Sequence, residues 1–262
     1  METPSTLLYH IILPAPANAD AFERTLFLSP ERFATQMNDL HRRGFRTMTL
    51  GEFGDALVCG RSPERRVLLT FDNAYAHVDE TVTPILTRLG FSAVMFAPWQ
   101  HLSGLNCWDA HKPNLARLRL ASRQQLSRMA TSSWEIASHG LRHVDLTKLQ
   151  ESQIFRELVE SREALEQLLG HPVRDLAYPF GATDDRVRRA AVAAGYERAF
   201  LAHPSVEGDR LSIGRRLVRG DEGMLIFRLK TSSFSGYAAR LGRVAPAWVK
   251  SAGRRTLTGA PR

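Results

Sequence analysis

The sequence predicts an α/β fold on a mostly parallel sheet or barrel. Three observations carry that expectation. Short apolar runs, such as residues 67–71 and 93–97, are of strand length. Amphipathic stretches of helical length alternate with them. Helix caps and glycine stops stand between the two kinds of segment.

The elements follow in order. Residues 7–13 read as a strand. Ser29-Pro30-Glu31 opens a helix, with serine as N-cap and proline at the first helical position; it runs to about Arg43 and stops at Gly44. Residues 66–71 read as a strand, 77–89 as one helix ended by Gly90, and 92–96 as a strand. Residues 97–121 form a long irregular connection, a length usually kept for function. A helix over 122–129 and a strand over 135–138 follow. Thr147 with Gln150 has the capping-box pattern of a long helix that carries Ile154, Leu158, Leu165 and Leu168 on one side and closes at Gly170. Residues 175–177 read as a strand, 184–194 as a helix and 199–202 as a strand.

Composition excludes several classes. The 262 residues are 44% apolar and 24% charged, ordinary globular values that rule out disorder, a collagen-like fibre and a coiled coil. The length fits one large domain or two small ones. Cys59 and Cys107 form no Cys-x-x-Cys pair, so a thiolate zinc knuckle is excluded. No apolar run reaches the ~20 residues of a spanning helix. The N-terminus lacks the basic head and apolar stretch of a signal peptide, so the cytoplasm is expected. Of the net charge of +8, residues 210–262 carry +10 and residues 1–209 carry −2. The tail is either a solvated basic segment or one with an anionic neighbour. Phe234, Tyr237, Leu241 and Trp248 recur there at near-helical spacing among Arg240, Arg243 and Lys250, which suggests peripheral contact with an anionic membrane surface or docking on the barrel. There is no Gly-x-Ser-x-Gly elbow, phosphate loop or Gly-x-Gly-x-x-Gly. No RNA-recognition pattern appears, and nucleic acid is not the expected partner.

In parallel α/β folds the site lies at the C-terminal ends of the strands. Four polar clusters follow apolar runs there: Leu8-Tyr9-His10, Thr70-Phe71-Asp72-Asn73, Ser138-His139-Gly140-Leu141-Arg142-His143 and Ala177-Tyr178-Pro179-Phe180-Gly181. His139 and His143 are spaced i, i+4, which puts both imidazoles on one side if the segment turns helically. Two imidazoles and an oxygen ligand make a divalent-metal site with open positions. Asp72 could ligate the metal, act as general base, or cap a helix. His10 could instead be a core histidine, and Tyr178 to Gly181 a tight turn. Trp99 and Trp108 of the long connection could stack on a ligand or simply pack.

These motifs resemble those of the polysaccharide deacetylases, the NodB-homology class or carbohydrate esterase family four. Leu69 to Asn73 resembles its Thr-Phe-Asp-Asp motif, Ser138-His139 to His143 its His-(Ser/Thr)-x-x-His motif, and Ala177 to Gly181 its Ala-Tyr-Pro-Tyr-Gly form. Leu8-Tyr9-His10 resembles the Leu-x-His motif of circularly permuted members. Residues 104–110, with Asn106, Trp108 and Asp109, resemble a loop of exopolysaccharide-cluster members. The resemblance spans roughly residues 5–230. It implies a distorted (β/α) barrel over residues 1–230, a basic tail over 231–262, and metal-dependent removal of the acetyl group from an N-acetylated sugar. Asp72 would be the general base and His10 the general acid. His139, His143 and Asn73 would hold a divalent metal ion, zinc first among them. Tyr178, Pro179, Phe180, Trp108 and Asp109 would contact the glycan, and a backbone amide near Phe180 would stabilise the oxyanion.

The chain departs from the family pattern where the usual metal-ligand Asp is Asn73, a neutral ligand. Metal affinity is then expected to fall, or Asp72 to rotate onto the metal. The alternative function is a catalytically impaired member that binds a glycan or an assembly partner. Ala177 replaces the usual Arg of the third motif, and Ala74 a common Gly.

Overall fold

A computed structural model describes residues 4–60, 64–109, 112, 115, 117–205 and 209–231. The tail over 232–262, with its aromatic and basic pattern, lies outside the described residues. Among the described residues no helix is long and apolar enough to cross a membrane.

The chain order is β1 (Ser5–Tyr9), α1 (Ala21–Leu26), α2 (Pro30–Arg42), β2 (Arg46–Thr47), α3 (Leu50–Cys59), β3 (Arg66–Asp72), α4 (His77–Thr81), α5 (Thr83–Leu89), β4 (Ala93–Ala97), α6 (Arg123–Ala130), β5 (Trp134–Ser138), α7 (Glu151–Leu169), β6 (Asp175–Ala177), α8 (Asp185–Ala193), β7 (Arg198–Phe200), β8 (Arg216–Leu217) and α9 (Met224–Lys230). The strands pair in parallel in the order β7-β6-β5-β4-β3-β1-β8, with β2 on β3. A bridge from Phe200 to Ile213, just before β8, curls the sheet back on itself. The result is the expected distorted barrel, irregular where β7 meets the segment leading into β8.

The period-2 alternation of strands decides what each face carries. On β3, Val67, Leu69 and Phe71 pack outward with Met95 of β4 and the surrounding helices. Leu68 points inward to join Val94, Phe96, Ala137, Ala177 and Phe200. Helix α3 plugs the lower end of this inner cluster with Leu50, Phe53 and Ala56. Thr49 and Glu52 form its capping box, and Gly60 ends it at φ 63°. The same alternation carries the inner face past β1 to His10, to Asp72 at the end of β3, and past β5 to His139.

Several local expectations need correction. Residues 77–89 form two helices broken at Val82, because Pro84 in the first turn of α5 offers no backbone N–H to an upstream carbonyl. Thr147 lies in a short 3₁₀ turn capped by Asp145, and α7 starts later, where Gln150 N–H bonds Gln153 Oε1 at 3.0 Å. The first strand spans Ser5–Tyr9 rather than 7–13. Three members of the basic segment counted from residue 210, Arg215, Arg216 and Lys230, are buried, so that stretch is not uniformly a solvated surface.

Candidate functional site

The rim of the barrel holds a cleft of about 360 Å³ lined by His10, Asp72, Asn73, His139 and His143 on its floor. Phe22, Leu26, Trp108, Phe180 and Leu217 supply large apolar walls. Three chain segments far apart in sequence therefore meet on the floor of one hollow.

Asp72 is the last residue of β3 and is 3% exposed. Arg215 clamps it: Nη1 donates to Oδ1 at 2.6 Å and Nη2 to Oδ2 at 2.7 Å. The guanidinium is fully buried, donates through Nε to Leu201 O at 2.7 Å, and lies over the Phe96 ring. Burial alone would raise the Asp72 carboxyl, but Arg215, with His139 and His10, overcomes it and holds the group at about 2. Both carboxylate oxygens are thus engaged by Arg215. Rotation of Asp72 onto a metal, one of the two outcomes expected for Asn73, would have to break this pair.

His139 Nδ1 lies 2.7 Å from Ala177 O, which makes Nδ1 the donor and leaves the Nε2 lone pair free. That Nε2 is 3.8 Å from Asp72 Oδ2. The expected helical turn between the two histidines is absent. Gly140 at φ 76° and His143 at φ 53° bend a loop instead, and it brings the rings to 4.8 Å between centroids. Helix α7 holds this loop from behind. Ser161 Oγ donates to Gly140 O at 2.9 Å, and the buried Glu157 carboxylate accepts from Arg142 N–H at 3.0 Å. The His143 ring is stacked by Trp108 at 4.1 Å and met edge-on by Phe180 at 4.7 Å. Burial lowers the proton affinity of both imidazoles, so each is held neutral, as a metal ligand must be.

Asn73 takes φ 76°, a left-handed conformation that asparagine tolerates better than most residues. Its Nδ2 donates to Tyr75 Oη at 3.3 Å, while its buried Oδ1 has no partner. His143 Nδ1 and His10 Nδ1 are likewise buried without partners. His10 follows β1, and burial lowers its imidazole to about 4 against the opposing pull of Asp72.

Among the described residues no group of three His, Cys, Asp or Glu side chains could hold a metal ion. The donor set in the cleft is two neutral imidazoles and one amide oxygen. The orphaned Asn73 Oδ1 and the free lone pair of His139 Nε2 fit a divalent cation, although without the anionic ligand that would bind it tightly.

The remaining expected residues divide. Phe180 is 56% exposed and stands in the cleft at φ 59°. Tyr178 is fully buried with Oη on Leu211 O at 3.1 Å, and Pro179 is buried against Gly140, so neither lines the cleft. Trp108 and Asp109 do line it, from a short 3₁₀ turn in the long connection. Trp99 instead packs under Arg123, 4.4 Å from its ring. Sequence reasoning missed Arg215, Phe22 and Lys112. No local pattern marks Arg215, which reaches Asp72 across 143 positions.

Comparison with known proteins points the same way. A family model described as polysaccharide deacetylase matches residues 60–199. A Bacillus subtilis (strain 168) protein provisionally named a polysaccharide deacetylase is 25% identical over 199 residues, 76% of this chain and 64% of its own length. The poly-β-1,6-N-acetyl-D-glucosamine N-deacetylase of Staphylococcus epidermidis is 24% identical over 206 residues, 74% of this chain and 68% of its own. The chain thus spans about two thirds of the length of these curated relatives. Two solved structures share the fold. The deacetylase PplD of Streptococcus pyogenes, in complex with acetate, has a TM-score of 0.75 at 21% identity, covering 88% of this chain and 99% of its own. IcaB from Ammonifex degensii has 0.74 at 22%, covering 88% and 98%. A family model matching more than half of the chain, over the stretch that supplies Asp72, Asn73, His139 and His143, leaves one assignment: the chain belongs to the polysaccharide deacetylase family.

Proposed function

We propose that this protein is a hydrolase that cleaves the carbon–nitrogen bond of an N-acetylated sugar in a glycan, releasing acetate with the help of a divalent metal ion. The observation that carries this reading is the convergence of His10, Asp72, His139 and His143 on one cleft, with Asp72 kept ionised by a buried arginine.

His139, His143 and Asn73 would hold the metal, zinc first. When bound, such an ion supplies Lewis acidity toward the acetyl carbonyl and brings the pKa of water toward ~7. Asp72 takes the proton of the attacking water as its oxygen bonds to the acetyl carbon. Arg215 keeps that carboxylate ionised and oriented. A carboxyl held near 2 is a weak base, so it serves only a water already made acidic. A backbone amide near Phe180 would stabilise the developing oxyanion. His10 is neutral in the free site. Negative charge building beside it raises its proton affinity, so it takes up a proton from solvent and passes that proton to the nitrogen as the C–N bond breaks, returning to the neutral form, while Asp72 gives the water's proton back to solvent. The products are a free amine and acetate.

The homologous staphylococcal enzymes are named for poly-β-1,6-N-acetyl-D-glucosamine, which makes N-acetylglucosamine oligomers the first substrates to try. The assay strips the protein of metal, restores zinc, cobalt, nickel or manganese in turn, and measures acetate. No release with any of the four refutes the proposal. The neutral Asn73 favours a second reading, a glycan binder with impaired catalysis. Activity that appears only in Asn73→Asp would establish that reading.

A further inference from the structure

Asn73 is a neutral candidate ligand whose side chain has two unlike ends. A carboxylate turned about its last bond presents an oxygen either way. An amide presents its oxygen in one orientation and an NH2 donor in the other, and only the oxygen can ligate a cation. A neighbour must therefore choose the orientation.

Among the described residues that choice falls to Tyr75. Asn73 Nδ2 donates to Tyr75 Oη at 3.3 Å, which leaves Oδ1 buried with no partner. Both residues line the hollow that His139 and His143 also line. The turn after β3 makes the contact possible. Asn73 and Ala74 are both left-handed, at φ 76° and 53°, so the chain bends and side chains two positions apart meet.

The phenol is held from other directions. Its buried ring stacks on His77 with centroids 5.7 Å apart. His77 Nε2 in turn accepts from Ile12 N–H at 3.1 Å. Tyr75 forms an antiparallel bridge with Leu120. Ala76 N–H donates to Arg119 O at 2.9 Å, and Ala121 N–H to Ala74 O at 2.7 Å. The fully buried Asn106 is a second side-chain partner of the hydroxyl, and its Oδ1 accepts from Leu118 N–H at 2.8 Å. The place of the hydroxyl therefore does not depend on Asn73.

Resting on the metal-assisted reading above, we infer that Tyr75 is a positioning residue: its hydroxyl accepts from the Asn73 amide nitrogen and so reserves the amide oxygen for the cation. It acts through Asn73 and not on the substrate. The neutral ligand of this chain needs that help, whereas a carboxylate at the same position would not.

Zinc affinity measured by calorimetry in four proteins tests this: the unaltered chain, Tyr75→Phe, Asn73→Asp and the double variant. Phenylalanine keeps the buried ring and removes only the hydroxyl. Tyr75→Phe is expected to weaken zinc binding about tenfold on its own. Combined with Asn73→Asp, it should weaken binding by less than about threefold. A hydroxyl that merely supports the fold would weaken both by the same factor. Equal weakening in the two backgrounds, or none when Asn73 is kept, overturns the inference. A second arm needs no metal. The Asn73 side-chain NH2 resonances, identified by their absence from Asn73→Asp, should exchange protons with water about fivefold faster in Tyr75→Phe. If none of the four proteins binds zinc, the metal-assisted reading falls and exchange decides: a faster rate leaves Tyr75 as the holder of the amide, and an unchanged rate overturns that role.

Discussion

Replacing Arg215 by methionine tests the electrostatic logic of the site. The side chain keeps its apolar stem against Phe96 but loses both bonds to Asp72, at 2.6 and 2.7 Å, and the bond to Leu201 O. Asp72 is then a carboxylate 3% exposed with no counter-cation of comparable reach. Removing one member of a buried ion pair costs about 3–5 kcal/mol. At roughly 2–4 °C per kcal/mol for a domain of this size, the melting temperature should fall by roughly 10 °C. The carboxyl can escape only by taking a proton, so its pKa should climb from about 2 past the ordinary 3.8. Thermal unfolding in chelator across pH reads both effects: the loss should be largest at neutral pH and shrink in acid. The double variant Arg215→Met, Asp72→Asn should lose less than Arg215→Met alone, because no charge is then stranded. A loss below about 1 kcal/mol, independent of pH and no smaller in the double variant, would refute the reasoning.

Three further outcomes follow from the same geometry. Asn73→Asp gives the donor set its missing negative charge beside His139 and His143, so affinity for zinc measured by calorimetry should rise by roughly tenfold or more. His10→Ala should cut turnover by about 10²–10⁴-fold with little change in zinc affinity, since His10 is proposed to move a proton rather than hold the ion. In chelator, stability should decline as pH falls from about 6.5 toward 4. The unfolded imidazoles take protons near 6.5, whereas burial holds His10 at about 4 and lowers His139 and His143 as well. The folded state then binds fewer protons, and for His10 alone the difference is on the order of 3 kcal/mol. Below about 4 the depressed Asp72 adds a loss of the same sign, complete near 2. Saturating zinc should raise the melting temperature and leave the acid limb at least as steep, because an ion on the imidazoles keeps the folded state from taking protons that the unfolded state still takes; a curve unchanged by zinc would argue against His139 and His143 as ligands.

The parts of this site legible in the sequence are those written in strand periodicity. The runs before His10, Asp72 and His139 place all three on the inner face by parity alone, and register then sets Asp72 across from Phe96. Asn73 was legible as a departure from a family motif because it sits beside Asp72. The i, i+4 spacing of His139 and His143 suggests a helical turn, but left-handed residues at Gly140 and His143 bring the two rings together instead. Tyr178 shows the limit of motif reading. It stands next to the exposed Phe180, yet its hydroxyl is satisfied by a buried carbonyl.

The sequence by itself determined the parallel α/β architecture, the strand ends that carry titratable groups and the residue types available there, because alternation and capping act over a few neighbours. Only the tertiary structure decided that Arg215 is the counter-charge of Asp72 and that α3 plugs the barrel. Those contacts join segments whose local patterns contain no information about each other. They form only when the sheet has curled and desolvation makes each buried charge seek a partner.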